Sequence, residues 1–375
     1  MKGITYGNID LEKNYKQIIL KSKKINIDEI NNFLIDFNVN KSFEELILLP
    51  IEEIIAIKEI TANEIQRKYN LSNEELPKKI KTIKSLFNYK EMQQHELSTF
   101  FMDHAEVINL NSCYYCNIDF VNTFVSFINE YFDKYDLVNN VESKQELLLI
   151  NNIGDVTAEE IFALKGKILN ETSYKTLLKT GTQKILNELF ENGKISNNKL
   201  KNHSHFTLDH ILPQNGFVHF SLSLYNLIPS CYSCNSKFKK DKKIYFDIKE
   251  LIKISPSSSQ FDENSFKINL NFNQGFCMDN VNKIDNYKIK INSKHKEFVK
   301  LLKLQGRYNF HKNLSFVMIN KRKIYSDSEI RDIANLLGRD EKTVKEDLFG
   351  KECFESSNSP FEKYKQDIAQ QLGLY

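Results

Sequence analysis

The chain has 375 residues, 41% of them hydrophobic, with 52 basic against 49 acidic side chains and a net charge of +3. That length supports more than one core, so two or three units are expected, and a charge so near zero leaves any basic surface to be local. Residues 1 to 20 carry no apolar core behind a basic start, and no run approaches membrane-spanning length, so neither a leader nor a membrane span is expected and the protein is predicted to be cytoplasmic. In that compartment thiols stay reduced, and paired cysteines hold metal more often than they form disulfides. Cys277 and Cys353 stand alone and read as ordinary packed cysteines.

Twelve glycines and six prolines are few, which favours helix. Residues 1–104 read as a helical N-terminal region. I-D-E-I-N-N-F-L-I-D-F (27–37) and I-E-E-I-I-A-I-K-E-I (51–60) place apolar residues at helical spacing. Ser72 with Glu75 forms a capping-box pattern ahead of Pro77. His95 and His104 stand isolated, the pattern of surface or packed residues. V-I-N-L-N-S (107–112) reads as a short strand leading into C-Y-Y-C, and F-V-N-T-F-V-S-F (120–127) suits strand or helix. Residues from about 128 to 200 read as a helical insertion, with Thr157 and Glu160 as a second capping pattern and Gly193 as a helix stop.

The informative stretch follows. In K-N-H-S-H-F-T-L-D-H the alternation of a strand puts His203, His205, Thr207 and Asp209 on one face and His210 on the other. Pro213 ends that strand, Q-N-G-F (214–217) turns the chain, and S-L-Y-N-L-I-P (223–229) returns it to a second C-x-x-C. Cys113, Cys116, Cys231 and Cys234 make two such pairs, the complement of one closed tetrahedral zinc site. From Asn235 on, N-S-K-F-K-K-D-K-K suits a short helix, and its lysines 237, 239, 240, 242 and 243 either form a solvated face or meet phosphates. Beyond Tyr245, S-P-S-S-S-Q (255–260) reads as a flexible link, and 265–272 and 287–292 alternate like half-buried strands. The chain from His295 on reads as helical, with Asp327 as a helix cap and His311 on a helix face.

Asp209 and Asn235 offer hard oxygen donors of the kind that hold magnesium or manganese. A histidine such as His210 can take a proton from water near neutrality. A zinc closed by four thiolates has no open position and so is structural. A metal-dependent phosphodiester hydrolase uses both sets, because a divalent cation offsets the charge that repels the nucleophile.

The order C-Y-Y-C-N…L-D-H-I-L-P…L-Y-N-L-I-P-S-C-Y-S-C-N-S-K-F-K resembles the HNH endonucleases, the ββα-metal nucleases, and in particular their bacterial branch with four zinc cysteines. The resemblance covers roughly residues 107–245. It implies an α+β fold: a zinc-stapled ββα core at 105–245, interrupted by the insertion at about 128–200, with mainly helical flanks at 1–104 and a mixed region at 246–375. It implies that His210 is the general base, that Asp209 and Asn235 hold the catalytic magnesium or manganese, and that Asn226 braces the histidine strand. Lys237, Lys239 and Lys240 then become candidate nucleic-acid contacts. Asn235 stands where the family often has a second histidine, and the 92 residues between Cys116 and Asp209 are an unusual length. The implied activity is endonucleolytic, on DNA ahead of RNA, in bacterial defence against phage beside a partner ATPase or another defence protein. The C-terminal region is expected to pack against the nuclease core without an activity of its own. The competing expectation is a non-catalytic zinc module, or a nucleic-acid-binding adaptor; it accounts for the cysteines and leaves Asp209, His210 and Asn235 unexplained.

Overall fold

The computed structural model describes residues 2–125, 130–191, 194–195, 200–245 and 247–375. It combines many helices with four small antiparallel strand pairs, an α+β architecture. The chain divides into two units: residues 1–122 with 205–375, and residues 123–204. The second unit contains the stretch from about 128 to 200 that the sequence sets apart as an insertion. One apolar cluster runs from Ile4 through Ile118, Leu208 and Ile244 to Leu374.

In the larger unit, Ile9–Lys21 is started by Asn8, whose side chain accepts from the amides of Asp10 and Leu11, and it buries Leu11, Tyr15 and Ile19 at four-residue spacing. Ile27–Asp36 is capped likewise by Asn26 and buries Ile30, Phe33 and Leu34. The helix expected at 51–60 stops after one turn, Ile51–Ile54: the amides of Ala56 and Ile57 bond three residues back, and the Ile60 amide donates to the Gly216 carbonyl at 2.8 Å. Ser72 and Glu75 do exchange bonds, at 2.9 and 3.3 Å, ahead of the helix Leu76–Phe87. The strand expected at 107–112 is absent. Asn109 takes a left-handed φ of 57°, which breaks an extended run, and only Ser112 pairs, with Phe120.

The C-terminal part carries the hairpin Phe266–Phe272 with Tyr287–Ser293, in register Ile268 opposite Ile291. Helices seal both of its edges. Asp367 and Gln371 from Glu362–Gln371 accept from the amides of Ile268 and Leu270, and Asn309 and Gln305 from Leu304–Phe310 accept from Ile289 and Ile291. Segment 255–260 is not a flexible link. Ser255, Pro256, Ser257 and Ser258 are buried, with Ser257 donating to the Tyr225 carbonyl at 2.5 Å and Ser258 to Glu52 at 2.7 Å. Ser326, not Asp327, caps the helix Asp327–Leu337, in a box closed by Glu329. Among the lone cysteines Cys353 is buried, but Cys277 is exposed rather than packed.

The second unit has its own core, with Leu137, Val138, Leu147, Ile161, Leu186 and Leu189 gathered from four short helices. Thr157 lies inside the helix Asp155–Ala163 instead of capping it, and Glu160 accepts from the Lys179 amide. Gly193, the expected helix stop, lies outside the described residues. Thr123–Val125 pairs with Asn202–Ser204, which brings the two ends of the insertion together. In the larger unit, the His205 amide donates to the Asn122 carbonyl at 2.8 Å, so the chain leaves and re-enters that unit at one place. No helix among the described residues is long and apolar enough to cross a membrane.

Candidate functional site

The site is built on the hairpin Thr207–His210 with Leu227–Ser230, in which Asp209 faces Ile228 and His210 faces Leu227. Leu208, Leu227 and Ile228 are buried and hold the hairpin against the main core. The loop that joins its strands is closed by Asn226, itself fully buried. The Asn226 amide oxygen accepts from the Leu212 amide at 2.8 Å, and its nitrogen donates to the carbonyls of Leu212 (3.2 Å) and Phe220 (3.0 Å). Those bonds fix the chain immediately after His210. Gly216, in the same loop, has φ 98°, a conformation open to glycine at little cost.

After the hairpin comes a single wide helical turn, Ser233–Lys239, ended by Lys240 at φ 51°. Asn235 and Lys239, four residues apart, share the face of this turn that meets the Asp209 strand. Asn235 donates to the Thr207 hydroxyl at 3.0 Å and to the Leu208 carbonyl at 3.3 Å, and among the described residues no donor reaches its amide oxygen. Lys239 is 0% exposed and Asp209 3%. The Lys239 ammonium lies 3.1 and 3.0 Å from the two Asp209 oxygens and donates to the His210 carbonyl at 2.6 Å. The expected phosphate contact at Lys239 is thereby corrected: its charge is buried and taken up by Asp209. Lys237 and Lys240 are exposed, and Lys243 pairs with Glu59 at 3.1 Å.

Asp209, His210 and Asn235 line one cavity of about 210 Å³ together with Lys84, Gln214, Lys240 and Asp241. The His210 Nε2 lies 2.9 Å from the Ser221 carbonyl, which can only accept, so in the neutral ring Nε2 carries the hydrogen and Nδ1 the lone pair. Burial, with the Lys239 charge nearby, pulls the ring down to about 4, against the bond to Ser221 that works the other way. Burial pushes the Asp209 carboxyl above its usual range even though Lys239 and the Tyr115 hydroxyl favour its charged form.

Behind the hairpin, the sulfurs of Cys113, Cys116, Cys231 and Cys234 lie within 4.8 Å of one another, all buried, with Cys116 and Cys231 3.9 Å apart. Four thiolates around zinc at about 2.3 Å stand about 3.8 Å from each other, so the cluster has the size and donor type of a structural zinc site. Tyr115, between the first two cysteines, donates to Asp209 at 2.6 Å and so ties the cluster to the cavity. Arg307, from Leu304–Phe310, donates to the sulfurs of Cys234 (3.2 Å) and Cys116 (3.3 Å) and pairs with Asp119 at 2.9 Å.

The N-terminal region contributes more than the sequence suggested. Lys84 lines the cavity, and the Tyr89 ring packs edge-on to His210 at 4.3 Å while its hydroxyl donates to the Leu208 carbonyl. Nothing local in the sequence marks either residue; Tyr115 and Asp241, by contrast, sit within or beside the motif. Among the described side chains, His210 is the only histidine that lines the cavity. His203 stacks on Phe124 in the second unit, His205 is exposed, His104 bonds the Phe100 carbonyl, and His311 packs beside Phe310 and Phe361. The His95 side chain lies outside the described residues. No protein-family model, no curated protein and no solved structure matches the chain.

Proposed function

We propose that the chain is a metal-dependent endonuclease of the HNH type, with DNA as its substrate. The observation that carries this reading is the convergence of Asp209, His210 and Asn235 on one polar cavity at the end of a hairpin and its following helical turn, with a four-cysteine cluster behind it. The free Asn235 amide oxygen and the remaining lone pairs of Asp209 are hard donors, and Asp241 adds a carboxylate to the cavity; the set fits magnesium or manganese in type. A divalent cation held there would stabilise the charge that develops on the scissile phosphate. His210 is neutral above about pH 4 and presents Nδ1 to accept the proton of the attacking water. The water oxygen then bonds to phosphorus as the ester P–O bond breaks, and the leaving oxygen is protonated from solvent. Asn226 keeps His210 in place without touching substrate.

One observation favours a second reading. The Lys239 ammonium occupies both oxygens of Asp209, where a divalent cation has to compete with it. A zinc-stapled binding module, with Lys239 neutralising Asp209 permanently, needs no catalytic metal. Cleavage decides between the two. The purified protein is incubated with plasmid, linear duplex, single-stranded DNA and RNA, each with magnesium, manganese or chelator. The nuclease reading expects metal-dependent cleavage that falls by about a hundred-fold or more in His210→Ala, with melting and zinc content unchanged. Undiminished cleavage by His210→Ala, or none by the zinc-loaded folded protein, would overturn it.

A further inference from the structure

The region from residue 283 to 312 carries eight lysines and one arginine against two acids, a local net charge of +7 in a chain whose total is +3. The structure gathers part of this charge around an open groove of about 650 Å³, walled by Lys296, Lys300 and Lys303 and floored by Ile291, Val299 and Gly306. All three lysines are exposed. Lys300 lies 4.0 Å from Glu297, both well exposed, while among the described residues no carboxylate comes within 4.0 Å of Lys296 or Lys303. A side chain at Gly306 would meet nothing within 4 Å, so the floor is open. The neighbouring outer face of the hairpin continues the same character: Lys267, Asn269 and Asn271 stand opposite Asn292, Lys290 and Lys288, with no acid among them. The groove shares no lining residue with the cavity of Asp209 and His210. Lys296 and Lys300 stand on the helix Lys296–Leu301, and Lys303 directly precedes Leu304–Phe310, the helix that carries Arg307 to the cysteine cluster.

We propose that this groove is a second nucleic-acid-binding surface, which grips the phosphate backbone of duplex DNA without reading its sequence. Mobile ammonium groups over a shallow apolar floor suit phosphates as point charges. The lining holds no aromatic ring on which an unpaired base would stack, and that favours a duplex over a single strand. The proposal takes its ligand class from the nuclease reading, but its test measures binding alone.

Labelled duplex of random sequence is titrated with the full chain in the absence of added divalent metal, from about 50 to 300 mM salt. The groove variant carries Lys296→Ala, Lys300→Ala and Lys303→Ala; the control carries Lys13→Ala, Lys165→Ala and Lys351→Ala, which are exposed elsewhere. The groove variant should bind at least tenfold more weakly near 100 mM salt, and its slope of log affinity against log salt should flatten by about 2.7, or 0.9 for each lost contact. The control should move little. Melting curves establish that both variants fold. Affinity and slope equal to wild type in a folded groove variant would overturn the proposal. So would unchanged duplex binding together with lost binding of a polyglutamate peptide, which would assign the groove to an acidic protein partner. Neither result would touch cleavage at His210, which His210→Ala tests separately.

Discussion

Replacing Lys239 by Met tests the centre of the site most sharply, because a lysine run in a sequence is expected to be solvated and this lysine is 0% exposed. Its ammonium faces both oxygens of a carboxylate that is itself 3% exposed, 3.0 and 3.1 Å away. Met keeps most of the aliphatic volume and removes the charge. Asp209 would then retain Tyr115 but lose its neutralising cation, and breaking a buried pair from one side costs about 3–5 kcal/mol. Domain stabilities are about 5–15 kcal/mol, so the melting temperature should fall by on the order of 10 °C. The double variant Asp209→Leu with Lys239→Met removes both charges but leaves the buried Tyr115 hydroxyl without its acceptor, so it should recover part of that loss.

The pH dependence follows from the raised Asp209 pKa. A carboxyl whose folded pKa lies above its unfolded value near 3.8 contributes stability below that value and loses it as pH rises through the folded pKa. Without Lys239 the folded pKa rises further, so the penalty of Lys239→Met should be largest at neutral pH and shrink in acid. If Asp209 is also a metal ligand, millimolar magnesium should raise the melting of the variant more than that of wild type. A Lys239→Met protein that melts within a degree or two of wild type at pH 7, or whose deficit is the same at pH 4.5 and pH 8, would refute the buried pair.

Three further outcomes are expected. Changing Cys113 to Ser should lose one zinc per chain and much of the stability together, because metal-binding energy at such a site is folding energy; elemental analysis beside a melting curve checks it. Asn226→Ala strands the buried amide and carbonyl of Leu212, while the Phe220 carbonyl keeps the Ser223 amide, and at about 1–3 kcal/mol for each group left without a partner it should destabilise by about 2 kcal/mol or more in urea unfolding. On the proposed nuclease reading, the acid limb of the single-turnover cleavage profile should fall as pH drops through about 4, where His210 gains its proton, and not near the ordinary histidine value of about 6.5.

What the sequence made legible were features whose partners lie close by in the chain or whose spacing is a chemical signature. The C-x-x-C pairs announce four thiolates whatever separates them, and alternation around Asp209 and His210 places a strand. The missed features depend on partners far along the chain. Helical spacing at 51–60 is real, yet Ile60 bonds to Gly216. A serine-rich stretch reads as a linker until Glu52 and the Tyr225 carbonyl, from elsewhere in the fold, take its hydroxyls. Lys84 and Tyr89 belong to the helices Leu76–Phe87 and Tyr89–Met92, in which their residue types are ordinary, so no local pattern could mark them.

The cysteine cluster matters beyond the metal it could hold. Cys113 and Cys116 precede the insertion, Cys231 and Cys234 follow it, and Arg307 reaches their sulfurs from the C-terminal region. Tyr115 carries that junction to Asp209, and Asn235 continues directly from Cys234 into the cavity. A chain that leaves the larger unit at Asn122 and returns at His205 needs a fixed point on which both segments agree. Four sulfurs held within 4.8 Å give it one, at the place where small errors would most disturb Asp209. Loss of a cysteine should therefore disturb the cavity as well as the zinc, whereas loss of His210 should leave both the fold and the zinc intact.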